Sequence, residues 1–75
     1  MTLDEFVSAF AAEFDETPEE VFKADTEFKA LEEWSSLTAL SIIAMIDEQM
    51  DKTVTGADIR SSKTIEDLFN LAVNK

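Results

Sequence analysis

The sequence predicts an all-α protein: a small bundle of three main helices, with one or two short helices and a long first loop, in a single domain spanning residues 1–75. Three observations lead to this prediction. The chain has one glycine and one proline, so few positions interrupt a helix. Its apolar residues recur at spacings of three and four, the repeat of an amphipathic helix. Hydrophobic residues make up 45% of it, which is too many for a disordered chain.

The first helix is expected to run from about Thr2 to Phe14. Thr2 and Glu5 have the spacing of a capping box, in which each side chain accepts a hydrogen bond from the backbone of the other residue. The apolar stripe of this helix consists of Leu3, Phe6, Val7, Phe10, Ala11 and Phe14.

A short helical turn should follow. Thr17 is placed to cap it, Pro18 takes the first helical position, and acidic residues fill its first turn. It is expected to end by Lys23 or Ala24. The loop after it, 25–33, should be anchored in the core by Phe28 and Leu31.

The second long helix should begin at Ser35 or Ser36 and reach about Met50. One arc of its helical wheel is assigned to the core: Ala39, Ile42, Ile43, Ile46 and Met50. The opposite arc mixes apolar and acidic residues: Leu37, Leu40, Ser41, Ala44, Asp47 and Glu48. This second arc either meets a partner protein or lies under the preceding loop.

Two further helix starts complete the bundle. Thr55-Gly56-Ala57-Asp58 predicts a short helix with Ile59 turned inward. Thr64 precedes the last helix as its cap, with an acid at the third helical position. The apolar stripe of that helix is Ile65, Leu68, Phe69, Ala72 and Val73.

The composition excludes several classes of function. Seventeen acidic residues against six basic ones give a net charge of −11, which disfavours nucleic acid and anionic membranes and favours partners with basic patches. The chain has no His and no Cys, so it lacks the usual general base, the most reactive nucleophile and the ligands of zinc or copper sites. We therefore expect no enzymatic activity and no metal site. The adjacent glutamates at 19–20 and 32–33 are expected to be solvated charges.

The remaining bulk features predict a cytoplasmic monomer. The N-terminus has neither the basic nor the apolar region of a signal peptide. No apolar run is long enough to span a membrane. Asp47, Asp51 and Asp58 do not have the spacing of an EF-hand loop. Leu37 and Leu40 form only a small candidate patch for self-association.

Ser36 is the residue to which the sequence assigns chemistry. It lies at the start of the second long helix, directly after a loop. The unpaired N–H groups of a helix N-terminus suit a phosphate group. The alternative is that Ser36 is an ordinary N-cap.

The segment Phe28-Lys-Ala-Leu-Glu-Glu-Trp-Ser-Ser-Leu-Thr-Ala-Leu40, with the acidic end of the helix that follows, resembles the centre of acyl carrier proteins. Pro18-Glu-Glu-Val21 and Thr64-Ile-Glu-Asp-Leu68 resemble the early turn and the last helix of that family, so the resemblance covers nearly the whole chain. The family's modified serine precedes Leu and corresponds to Ser36.

The resemblance implies a four-helix-bundle carrier, active in fatty-acid biosynthesis or other lipid metabolism. A phosphopantetheinyl transferase would attach 4′-phosphopantetheine to Ser36, making it a phosphoprotein whose arm holds acyl groups as thioesters. Acyl-handling partner enzymes with basic patches would dock on the second helix at Leu37, Leu40, Ser41, Ala44, Asp47 and Glu48. An acyl cavity would be bounded by Phe28, Ile43, Ile46, Ile59 and Leu68.

The chain departs from the family's pattern near the modified serine. Ser35 replaces the family's Asp, Thr38 and Ser41 stand where acids are common, and 31–34 lacks the family's Leu-Gly. Trp34 either packs the loop on the bundle or lies exposed beside the arm. These departures suggest a specialised carrier that generic fatty-acid enzymes handle poorly. The alternatives are an aminoacyl or peptidyl carrier and an acidic interaction module of the same fold that is never modified.

Overall fold

The computed structural model describes residues Met1–Lys75 and contains four α-helices and no strands. They are α1 (Leu3–Ala11), α2 (Ser36–Met50), α3 (Gly56–Ser61) and α4 (Ile65–Val73), with 3₁₀ turns at Glu19–Val21 and Phe28–Ala30. Helix α1 packs against α2 and α4, and α3 packs against α4. The predicted all-α bundle is confirmed, with three longer helices, one short helix and a long first loop.

Local capping explains where three of the helices start. Thr2, Thr55 and Thr64 are N-caps, and each forms a complete capping box with the acidic residue three positions on. Each box satisfies two of the backbone N–H groups that a helix start leaves without partners. At the other end of α2, Asp51 adopts the left-handed conformation, with φ of 55°, which commonly closes a helix.

Helix α1 ends at Ala11, so the predicted end at Phe14 is wrong. The N–H groups of Glu13 and Phe14 bond to carbonyls three residues back, which tightens the chain into a 3₁₀-like turn. This turn keeps Phe14 buried. It also frees the next three N–H groups to bind the carboxylate of Glu33.

The short turn after α1 also differs from the prediction. It covers only Glu19–Val21, and Pro18 precedes it instead of taking its first position. Thr17 does not cap it, because the Thr17 hydroxyl donates to Glu33. The long loop contains a second 3₁₀ turn, which the sequence pattern did not predict and which buries Phe28.

Backbone hydrogen bonds join the long loop to the start of α4. The carbonyls of Ala24 and Thr26 accept hydrogen bonds from the N–H groups of Glu66 and Ile65, at 2.9 and 3.1 Å. These are two of the free donors at the start of α4. The loop thereby completes α4 while it leads the chain toward the start of α2.

The core contains a cluster of aromatic side chains centred on Phe10. Phe10 is fully buried and lies 5.3–6.4 Å, between ring centroids, from Phe6, Phe14, Phe22, Phe28 and Trp34. Aromatic pairs at such distances add to the free energy gained by burial.

Helix α2 turns a slightly different face to the core than its pattern predicted. Ile42 and Ile46 are buried as expected, but Met45 is buried with them. Ile43 and Met50 are only half-buried. The helical wheel shows a broad apolar arc, and packing against α1 contributes to which part of it lies deepest. In α4, Val73 was predicted to belong to the buried apolar stripe, but its side chain is exposed.

Candidate functional site

The two serines at the start of α2 have different roles. Ser35 is the N-cap: its backbone is extended, and its Oγ accepts from the N–H of Thr38 at 3.3 Å. The Thr38 hydroxyl lies 3.2 Å from the same oxygen and donates to the carbonyl of Glu33 at 3.0 Å. Ser36 is the first helical residue and is exposed, and its hydroxyl forms no hydrogen bond. The interpretation of Ser36 as the N-cap is therefore wrong.

The carboxylate of Glu33 holds the loop that presents these serines. Its oxygens accept from the N–H groups of Asp15, Glu16 and Thr17 at 2.8, 3.1 and 2.9 Å, and from the Thr17 hydroxyl at 2.7 Å. The expectation that both glutamates of this pair are solvated is wrong for Glu33. The local sequence carries no signal for this role, because every donor lies at least sixteen residues earlier.

These contacts change the acidity of Glu33. The hydrogen bond from the Thr17 hydroxyl, and then the backbone N–H donors, stabilise the charged form and lower the pKa of Glu33 below its ordinary value of 4.5. The contribution of this carboxylate to folding is therefore fully present above that value. It is lost as the pH falls through the lower folded-state pKa.

Trp34 anchors the loop between Glu33 and the serines. Its ring is parallel to that of Phe10, at 6.4 Å and 3°, and meets Phe28 edge-on at 5.0 Å. The interpretation in which Trp34 packs the loop onto the bundle is confirmed. One part of the residue nevertheless borders the surface beside Ser36.

A surface depression of about 330 Å³ lies beside Ser36, between the start of α2 and α3. It contains no acidic residue, although the chain is strongly acidic. Lys29 and Arg60, two of the six basic residues of the chain, both border it. Its full lining is Lys29, Trp34, Ser35, Ser36, Ala39, Gly56, Ile59 and Arg60. The sequence did not indicate either cation, because 31 residues separate them.

The outer face of α2 is open to solvent. The exposed fractions of Leu37 and Leu40 are 76% and 61%, so the alternative in which the loop covers them is wrong. Ala44, Asp47 and Glu48 are exposed along the same face and Ser41 is half-buried. The first acid of α2 is Asp47, so on this outer face the part nearest Ser36 exposes leucines and the acids lie toward the far end of the helix. Binding of partners here stays a prediction.

The residues predicted to bound an acyl cavity belong to the core. Phe28, Ile46, Ile59 and Leu68 are buried, and Ile43 is half-buried. Of the five, only Ile59 reaches a surface depression, the one beside Ser36. The structure thus brings one predicted cavity residue to the predicted modification site and leaves the other four in the core or packed against it.

Comparisons with known proteins add no relative. A scan against protein-family models and searches of curated proteins and of solved structures found no match.

No three acidic side chains converge in a way that could hold a metal ion. None of the helices has both the length and the apolar character needed to cross a bilayer.

Proposed function

We propose that this protein is an acyl carrier, modified with phosphopantetheine on Ser36, that presents thioester-bound acyl groups to enzymes of fatty-acid, polyketide-like or lipid-related biosynthesis. One observation carries the proposal. Of two adjacent serines, Ser35 is engaged as the helix cap, whereas the hydroxyl of Ser36 is exposed and unbonded at the first position of a 15-residue helix. A modifying enzyme can reach Ser36 without breaking a contact.

The surroundings of Ser36 fit a phosphodiester. The N-terminus of α2 directs unpaired N–H groups toward this position. The adjacent depression offers two cationic side chains and no carboxylate. Modification would join the Ser36 oxygen to phosphorus, with cleavage of the phosphoanhydride bond of coenzyme A, departure of the adenosine bisphosphate and loss of the hydroxyl proton.

The group would supply the thiol that the chain lacks, and this thiol would carry the acyl cargo. The contributions of the chain itself are attachment, orientation and docking. Glu33 and Trp34 hold the loop so that Ser36 faces outward. The exposed Leu37 and Leu40 give partner enzymes an apolar contact beside the attachment point. The net charge of −11 attracts partners with basic patches and raises their association rates.

The direct test measures the intact mass before and after incubation with coenzyme A, magnesium and a broad-specificity phosphopantetheinyl transferase. Wild type and Ser35→Ala should each gain one phosphopantetheine, whereas Ser36→Ala should gain none. Ser35→Ala is a closely matched control because it makes the same change one residue away. Wild type that stays unmodified with several transferases would instead support an acidic interaction module of this fold. Aminoacylation of the modified protein by an adenylating enzyme would indicate an aminoacyl carrier.

A further inference from the structure

The depression beside Ser36 differs in charge from the other concave surfaces of the protein. Three other depressions are found, and each is bordered by one or more glutamates and by no Lys or Arg. The one beside Ser36 reverses this pattern, with Lys29 and Arg60 and no acid. On a chain of net charge −11, this is the concave surface that favours an anion.

The two cations border the same depression and are not neutralised by an acidic side chain. The Lys29 ammonium donates to the backbone carbonyl of Arg60 at 2.6 Å, which ties the long loop to α3. Neither residue forms an ion pair, since the one salt bridge in the structure joins Lys75 to Asp58. Lys29 keeps two further N–H donors, and the Arg60 guanidinium donates to no protein group. Both therefore have hydrogen-bonding capacity left for a ligand.

The wall of the depression contains the only glycine of the chain, Gly56. Its backbone does not require glycine, because its φ is not positive. A Cβ there would meet only the Arg60 guanidinium, at an ordinary contact distance of 3.4 Å. Alanine would favour the helix more. The missing side chain lets the Arg60 guanidinium lie close to the backbone of Gly56.

We propose that Lys29 and Arg60 bind the phosphate of the group attached to Ser36, and that the proximal part of that group lies in the depression against Trp34, Gly56 and Ile59. This inference rests on the proposed modification of Ser36. A phosphodiester is an anion whose oxygens suit the paired donors of a guanidinium and the point charge of an ammonium. Binding there would direct the arm toward α3 and away from the exposed leucines of α2, leaving these free for a partner.

The test compares the unmodified and modified proteins by nitrogen–proton correlation NMR, after intact mass has confirmed the modification. The backbone amide of Gly56 and the indole N–H of Trp34 each give a single identifiable signal, since the chain has one residue of each type. Both signals should shift on modification. In the Lys29→Gln/Arg60→Gln double variant, these shifts should be largely lost and the phosphorus resonance of the phosphodiester should move. Lys23→Gln, a change at a lysine outside the depression, should behave as wild type.

The outcomes separate the two proposals. A wild-type protein that gains the full mass but shows unchanged Gly56 and Trp34 signals would overturn the phosphate subsite and leave the carrier function standing. Shifts that persist in the double variant would remove the role of the two cations. A protein that no transferase modifies would overturn both proposals at once.

Discussion

The roles assigned to Ser35 and Ser36 predict opposite effects of two adjacent serine-to-alanine substitutions. Ser35→Ala removes the oxygen that accepts from the Thr38 N–H at 3.3 Å. Ser36→Ala removes an exposed hydroxyl that bonds to nothing. The first variant should be less stable but still modified, and the second should be as stable as wild type but unmodified.

The size of the effect follows from the geometry of the cap. Loss of a serine N-cap costs typically about 1 kcal/mol. The Thr38 N–H lies near solvent, so water can replace the lost acceptor and the cost should not reach the upper end of the range, about 2 kcal/mol. In a domain of this length, 1 kcal/mol corresponds to a fall in Tm of about 4–8 °C. Ser36→Ala should change the free energy of unfolding by less than about 0.5 kcal/mol.

Thermal unfolding of the unmodified proteins, followed by far-ultraviolet circular dichroism, measures both values. Ser35→Asp serves as the rescue variant, because Asp caps a helix as well as Ser does and its charge is favourable at a helix N-terminus. It should recover the stability that Ser35→Ala loses. A fall in Tm for Ser36→Ala equal to that for Ser35→Ala would refute the assignment of the cap and, with it, the argument that the Ser36 hydroxyl is free.

Three further predictions concern the loop, the depression and the outer face of α2. Glu33→Gln should lower the stability near neutral pH, and its difference from wild type should shrink as the pH falls below about 4.5, the ordinary pKa from which that of Glu33 is lowered. Denaturant unfolding across pH measures this difference. Because acid relieves charge repulsion in both proteins, that effect cancels in the difference, and a difference that stays constant with pH would contradict the prediction. Gly56→Ala should raise the free energy of unfolding by about 0.4–1 kcal/mol, because the methyl group meets no backbone and the unfolded chain loses freedom; a fall in Tm would show that the site cannot accept a Cβ. Leu40→Ala should leave stability within about 0.5 kcal/mol of wild type, whereas Ile42→Ala, two positions along and fully buried, should lose about 2–5 kcal/mol. Equal losses in thermal unfolding would show that Leu40 is covered in solution.

The fold class and the helix starts could be predicted from the sequence because their causes are local. A capping box needs a hydroxyl residue and an acid three positions apart, so Thr2, Thr55 and Thr64 marked their helices correctly. Prediction from a local pattern was wrong where a group distant in the sequence forms the contact instead. Thr17 has the pattern of a cap, but a carboxylate from another part of the loop takes its hydroxyl and the neighbouring N–H groups.

For the candidate site, the sequence by itself determined that a serine would stand at the start of the longest helix, followed by Leu37 and Leu40. It did not determine which of the two adjacent serines is free, or whether the two leucines are exposed or covered by the loop. The tertiary structure decided that Ser35 is the cap, that Ser36 is free and that the leucines are exposed. It also placed Lys29 and Arg60 beside Ser36. Such placements depend on how the long loop contacts α3 and α4, and contacts between residues far apart in the chain leave no periodic pattern in the sequence.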